Sequence, residues 1–299
     1  MSLSLFYRNV TVLDYAYLDR HRGLIGHSLR VNVTFNGTTD AEGILFDFSH
    51  AKKKVKEIID QDCDHRLVVP RGVVKRNNGQ ISFEYKFGIN NLLFSYQAPE
   101  EAICELPSDS VSYGSLKTHL ENIIMKQMPK NIYSIELELE EEDFDFSDKA
   151  TFHYTHGLKQ HYGNCQRLYH GHKNTVDVYI NGVNRPDLES YLAHNLFKGN
   201  THFCFWENIV NKNEIMKVAG QNPRGTIVGV DNIHIKYQSG QGQFEGKLPA
   251  SMVFITHRES TVENLSTEFA ELVREQVGEN ATIQVRAYEG IAKGALTTL

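Results

Sequence analysis

The chain repeats itself. Leu265, Phe269, Leu272 and Val273 each lie 149 positions after Leu116, Leu120, Ile123 and Ile124. Both sets recur at the spacing of one apolar helix face. The run SLRVNVTF, Ser28 to Phe35, alternates Leu29, Val31, Val33 and Phe35 with polar neighbours and closes on Asn36-Gly37. Such alternation is the pattern of a half-buried strand. Thr175 to Ile180 closes in the same way on Asn181-Gly182. A repeat of about half of 299 residues implies two copies of one domain. Each copy reads strand–strand–helix–hairpin–helix–strand–strand. That order predicts an α+β fold, each domain an antiparallel four-stranded sheet with two helices on one face.

The local signals fill in this scheme. In the first half, Phe48, Ala51, Val55, Ile58 and Ile59 form a helical stripe, with Lys52, Lys53 and Lys54 on its solvated side. Ile81 to Phe94 reads as a strand pair around Gly88, and Tyr133 to Leu139 as the closing strand. The acidic residues after it, through Asp145, read as strand end and linker. The boundary is expected near Ser147-Asp148-Lys149, giving domains 1–147 and 148–299. In the second half, Leu188 to Phe197 is helix-like, and a strand pair surrounds Gly240-Gln241-Gly242. Ser260 with Glu263 three later predicts a capping box at the start of the last helix. No run of 18 apolar residues exists, so no membrane span is expected. A formal net charge of −6 argues against a general nucleic-acid binder. Cys63, Cys104, Cys165 and Cys204 are widely spaced, and the N-terminus has no signal-peptide pattern. Both features suggest a reducing compartment, the cytoplasm.

Chemistry concentrates in Phe152 to His172, FHYTHGLKQHYGNCQRLYHGH, with five histidines and one cysteine. His170 and His172 are two apart, so on a strand both face the same side. His156 comes from the preceding strand of the hairpin. Three imidazoles and an open position suit a catalytic zinc ion. Gly171 leaves the opposite face free of bulk. Cys165, in the loop, is free to act as a base or nucleophile.

The pattern THGL, then Cys165, then HGH and the strand TVDVYING resembles the 6-pyruvoyl-/6-carboxy-tetrahydropterin synthase family. The resemblance implies tandem T-fold (tunnelling-fold) domains. It implies Zn2+ on His156, His170 and His172, with Cys165 as catalytic base. Alignment of the halves sets Ala16, Ile25 and His27 opposite those three histidines, so the first half is expected to lack the zinc site. The first half instead carries Asp64-His65, where the family has an Asp-His pair working with the cysteine. The second half has Asn200-Thr201-His202 there, without the aspartate. Asp64 and His65 are therefore expected as catalytic partners of Cys165, from the same or another chain. Glu289, in AYEG, falls on the family's pterin-anchoring glutamate, and a carboxylate suits bidentate binding of a pterin edge. Ser260 and Thr261 either line the pterin site or only cap the helix. His153, His161 and His194 have no assigned role.

The resemblance implies a zinc-dependent lyase acting on 7,8-dihydroneopterin triphosphate. The product expected is 6-carboxy-5,6,7,8-tetrahydropterin, of the queuosine and deazapurine pathway. The alternatives are 6-pyruvoyl-tetrahydropterin synthase or a non-catalytic zinc-containing pterin-binding T-fold protein. Cys165 argues against the variant branch that uses a glutamate instead. Single-T-fold members form hexameric rings, so a homotrimer of tandem chains is expected here.

Overall fold

A computed structural model describes residues 3–142 and 149–299. Ser147 and Asp148 of the expected boundary, and the end of the acidic run, lie outside the described residues. The first half runs β1 (Leu3–Asp19), β2 (Gly23–Gly37), α1 (Phe48–Asp62), β3 (Leu67–Val69), β4 (Lys75–Asn77), β5 (Gln80–Phe87), β6 (Leu92–Pro99), β7 (Ile103–Glu105), α2 (Tyr113–Met125) and β8 (Ile132–Glu140). The second runs β9 (Thr151–His156), β10 (His170–Ile180), β11 (Val183–Asn184), α3 (Pro186–Ser190), β12 (Asn200–Phe205), α4 (Lys212–Ala219), β13 (Asn232–Ser239), β14 (Gly242–Pro249), β15 (Val253–Thr256), α5 (Val262–Val277), β16 (Ile283–Tyr288) and β17 (Gly294–Thr298). A wider π turn, Tyr191–Leu196, continues α3.

The tandem α+β arrangement is present. The first sheet has the order β7-β3-β1-β2-β8, and the second β15-β12-β9-β10-β16-β17 with β11 beside β10. Each sheet has more than four strands and is not wholly antiparallel. Its antiparallel core is extended by β3 and β7, or by β12 and β15, which run parallel to their neighbours. Parallel neighbours need a long crossover. The excursions through β4–β6 and through α4–β14 supply it. Those excursions leave their parent sheets and join as a third sheet, β13-β14-β6-β5-β4, built from both halves.

Three cores follow. Val55, Ile59, Leu116, Leu120 and Ile124 of α1 and α2 pack on the first sheet. Leu265, Phe269, Leu272 and Val273 of α5 pack with Phe152 and Phe203 on the second. The third cluster joins Phe83, Phe94 and Tyr96 of the first half to Tyr169, Tyr237 and Phe244 of the second. The helix stripes fall where periodicity puts them, except that Phe48, the first residue of α1, is exposed and only Ala51, Val55, Ile58 and Ile59 of its stripe are buried. The start of α5 differs: Thr261 is the N-cap, its side chain accepting from the Asn264 N–H at 3.3 Å, and Ser260 lies outside the helix. Among the described residues, no helix is long and apolar enough to cross a membrane.

The halves meet where β2 crosses the β9–β10 hairpin. A Cβ on Gly171 would stand 2.7 Å from the Gly26 Cα, and one on Gly26 would stand 1.9 Å from the Tyr154 carbonyl oxygen. The face of β10 that Gly171 leaves bare is filled by the first half's own backbone. A glycine is required on each side because only bare backbones approach this closely.

Candidate active site

The hairpin β9–β10 aligns His156 directly opposite His170, and His172 opposite Tyr154. All three histidines therefore face one side of the sheet, and all three are fully buried. One ligand nitrogen from each lies within 4.8 Å of the other two. The His156 Nδ1 lies 2.8 Å from the Ser260 carbonyl and the His170 Nδ1 2.8 Å from the Arg167 carbonyl. A nitrogen facing a carbonyl must carry the proton, so each Nε2 is left with a lone pair. The Nε2 atoms of His156 and His172 are 3.3 Å apart. The His170 Nε2 is buried with no hydrogen-bond partner among the described residues. Burial and neighbouring imidazoles push His156 and His170 well below the ordinary histidine range, which keeps them neutral. The neutral Nε2 lone pairs of His156 and His170 are free to bind a cation beside the His172 ring. The donor set thus fits a zinc ion.

Asp64 and His65, from the turn after α1, reach the same place within one chain. The Cys165 sulfur and ring nitrogens of His65 and His170 lie within 4.8 Å of one another. The His65 Nδ1 is 2.6 Å from Asp64 Oδ2. Burial opposes charge on His65, but its hydrogen bonds to Asp64 and Cys165 outweigh this and hold its pKa up at about 10. His65 is held at φ 54°, a left-handed conformation uncommon for a residue with a side chain. Its backbone N–H donates to the Asp14 carbonyl at 2.7 Å, and Asp64 Oδ1 accepts the Asp14 N–H at 3.0 Å.

Asp14 is the residue that sequence reasoning missed. Its backbone clamps the Asp64–His65 pair, and its side chain lies 3.1 Å from His172 Nδ1. It also accepts from Ser28 Oγ at 2.6 Å and Lys293 Nζ at 3.0 Å. Burial works against its charge, yet His172 and Lys293 hold the carboxyl below the ordinary range. The available signal was a carboxylate within LDYAYL, whose neighbours Leu13, Tyr15 and Ala16 are all core residues. Arg167, also unassigned, is buried and points its guanidinium at the Asp64 carbonyl, 3.3 Å away.

The remaining expected residues fall as follows. Glu289 Oε1 lies 3.8 Å from His156 Nε2, so its carboxylate faces the histidine cluster. Ser260 is buried, with its hydroxyl 3.2 Å from the His156 Nδ1, behind the cluster rather than in a ligand space. Its expected cap role passes to Thr261, which caps α5. The His153 Nδ1–H donates to the Gly26 carbonyl, 2.7 Å away, at the crossing of the halves. His202 is a core residue on β12, 2.9 Å from the Thr155 hydroxyl, and burial lowers its pKa to about 3.

Paired α+β repeats, with a buried three-histidine cluster in one and an Asp-His pair delivered by the other, define a tandem T-fold protein. Residues 11–136 and 145–298 both match the family model for 6-pyruvoyl tetrahydropterin synthase. The chain belongs to that family. A Pyrococcus horikoshii protein provisionally named 6-carboxy-5,6,7,8-tetrahydropterin synthase is 29% identical over 101 residues, 34% of this chain and 59% of its own length. A Pyrococcus abyssi protein of the same provisional name is 23% identical over 136 residues, 46% of this chain and 80% of its own. Among solved structures, 6-pyruvoyl tetrahydropterin synthase of Plasmodium vivax is similar at 18% identity and a TM-score of 0.38, covering 48% of this chain and 93% of that one. The Plasmodium falciparum enzyme is similar at 23% identity and a TM-score of 0.37, covering 47% and 91%.

Proposed function

We propose that the protein is a zinc-dependent lyase that converts 7,8-dihydroneopterin triphosphate and one water to 6-carboxy-5,6,7,8-tetrahydropterin, triphosphate and acetaldehyde. The observation that carries this reading is the meeting, in one chain, of the three buried histidines with Cys165, His65 and Asp64. His156, His170 and His172 would hold the zinc. Bound there, it supplies Lewis-acid polarisation of the substrate's side-chain hydroxyls.

The chain's own residues do the rest. Cys165, half-buried on the Asn164–Gln166 turn, takes a proton from the substrate side chain as general base. His65 is the partner acid and base, and Asp64 fixes its tautomer through Nδ1. Glu289 accepts the N–H groups of the pterin edge. The product assignment follows the names of the Pyrococcus relatives. Cytoplasmic location and a homotrimer equivalent to six T-folds belong to the same reading.

Incubation with 7,8-dihydroneopterin triphosphate, followed by mass spectrometry of the pterin and assay of acetaldehyde, tests it. A 6-carboxy product with acetaldehyde is the expected result. A retained diketone side chain assigns the 6-pyruvoyl branch instead. Tight pterin binding with no turnover makes the protein a binding module and overturns the lyase reading.

A further inference from the structure

The second constellation of metal-binding side chains lies in the first half, away from the histidine cluster. Asp62 ends α1, Cys63 follows it, Cys104 is the middle residue of β7, and His119 lies on α2. One donor atom from each lies within 4.8 Å of all the others. The proposed reaction uses none of the four.

From these residues we infer a structural zinc site in the first half, its ligands two cysteines, one histidine and one aspartate. Zn–S bonds of about 2.3 Å and Zn–N or Zn–O bonds of about 2.0–2.2 Å give a tetrahedron with edges of roughly 3.3–3.8 Å. Three edges are already in that range: Cys63 Sγ to Asp62 Oδ2 at 3.4 Å, Cys104 Sγ to Asp62 Oδ2 at 3.4 Å, and Cys104 Sγ to His119 Nε2 at 3.7 Å. Two edges are shorter, Asp62 Oδ2 to His119 Nε2 at 2.6 Å and Cys63 Sγ to Cys104 Sγ at 2.8 Å. Side-chain torsion that opens each by about 1 Å or less brings them into the same range, and the sixth edge, Cys63 to His119, is within 4.8 Å. Two thiols with an imidazole select a zinc-type ion over magnesium or calcium, which take oxygen ligands.

The position favours metal over a disulfide. A disulfide would involve Cys63 and Cys104 alone and leave the Asp62–His119 contact unexplained, and the sulfurs stand well beyond a bond of about 2.05 Å. Four donors from α1, β7 and α2 instead clip both helices to the edge strand of their sheet. Cys63 and Cys104 are buried in the helix–sheet core, while Asp62 and His119 close the site on its outer side. Binding displaces the two thiol protons to solvent and involves no redox change. The site also anchors the end of α1 directly before Asp64 and His65, so it positions the turn that carries them. The expectation of one metal per chain rested on the histidine pattern alone.

The test is metal stoichiometry of the full chain, purified with reductant and without chelator, then loaded with Zn2+ and desalted. The wild type should hold two equivalents. His170→Ala/His172→Ala should hold one, and adding Cys104→Ser to that variant should leave none. Should Cys104→Ser not fold, His119→Gln replaces it. Co2+ loading gives a second readout in a Cys165→Ala/Cys204→Ala background, where thiolate-to-cobalt absorption can arise only from the two first-half ligands. That absorption should persist in His170→Ala/His172→Ala and vanish in His119→Gln or Cys104→Ser. A folded His170→Ala/His172→Ala protein with no metal and no thiolate-to-cobalt absorption overturns the site. So does a Cys63–Cys104 disulfide in non-reducing peptide maps of the loaded protein. Both readouts are of metal and sulfur chemistry and neither uses pterin turnover, so this site and the proposed reaction fail separately.

Discussion

We predict that Gly26→Ala damages both stability and the histidine cluster, although residue 26 contributes no side chain to either. The added Cβ would stand 1.9 Å from the Tyr154 carbonyl oxygen and 2.7 Å from the His172 backbone nitrogen. Both obstacles are backbone, so no rotamer change relieves them. Reaching even 3.0 Å from the oxygen requires the strands to part by about 1.1 Å. Gly26 has no left-handed φ, so the penalty is steric and not conformational. Overpacking of a rigid contact costs about 1–3 kcal/mol, and two backbones in opposition put this case near 3. For a chain of 299 residues that lowers the unfolding midpoint by roughly 5 °C. The same parting acts across the Asp14–His172 contact and the His65–Cys165 approach, which span the same interface. A displacement of about 1 Å in a catalytic constellation costs on the order of 10²-fold in rate. Thermal unfolding by circular dichroism and zinc retention against a competing chelator measure the two effects without reference to any substrate. Gly114→Ala on α2, whose added Cβ would meet no atom within 4 Å beyond its own helix backbone among the described residues, is the control and should melt at or slightly above wild type. A Gly26→Ala protein that melts within about 1 °C of wild type and holds zinc equally well would falsify the close-crossing argument.

We predict four further outcomes. Cys165→Ala should keep the metal of the histidine cluster and lose at least about two orders of magnitude in turnover, the scale of a positioned acid or base; normal turnover removes the cysteine from the mechanism. Asp14→Asn should weaken zinc binding at the histidine cluster by about 10–100-fold, the usual effect of losing a partner behind a ligating histidine, and unchanged affinity in a chelator titration would count against the Asp14–His172 contact. Mixed oligomers of Cys165→Ala and Asp64→Ala chains should show no recovered turnover, because the Asp64-bound His65 meets Cys165 within one chain; recovery in proven mixed oligomers would place the site between chains. Light scattering should give the mass of three chains, and a monomer at working concentration would refute the ring.

What the sequence makes legible is what depends on local period. The i,i+2 spacing of His170 and His172 and the hairpin around them already put three imidazoles on one face. The stripes of α1 and α5 likewise need only their own residues. Contacts set by topology are not legible in this way. Asp14 reads as one polar position in an apolar strand until the turn after α1 is laid against it. Ser260 and Glu263 match a capping box, but the Ser260 hydroxyl is drawn to His156 and the cap moves to Thr261. Helix α4 was not expected, although Gly220 at φ 79° is a clear stop signal after it. The short parallel strands β3, β7, β12 and β15 are fixed by pairing and leave little mark on composition.

The third sheet imposes an order on synthesis. Strand β6 pairs with β14 through Gln97 with Glu245 and Ser95 with Lys247. Nearly 150 residues separate the partners, so a ribosome working at about 5–20 residues per second delivers β14 roughly 7–30 s after β6. Throughout that interval the nascent first half presents the open edge of β6, together with Phe94 and Tyr96, whose packing partners Tyr169 and Phe244 arrive later. An unpaired edge backed by aromatic side chains is a docking point for any other extended chain. On a crowded polysome the nearest such chain is the second half of a neighbouring copy, which offers the same β14. Exchange of second halves between nascent chains is therefore the characteristic misassembly of this architecture, and slow translation between β6 and β14 prolongs the exposure that permits it.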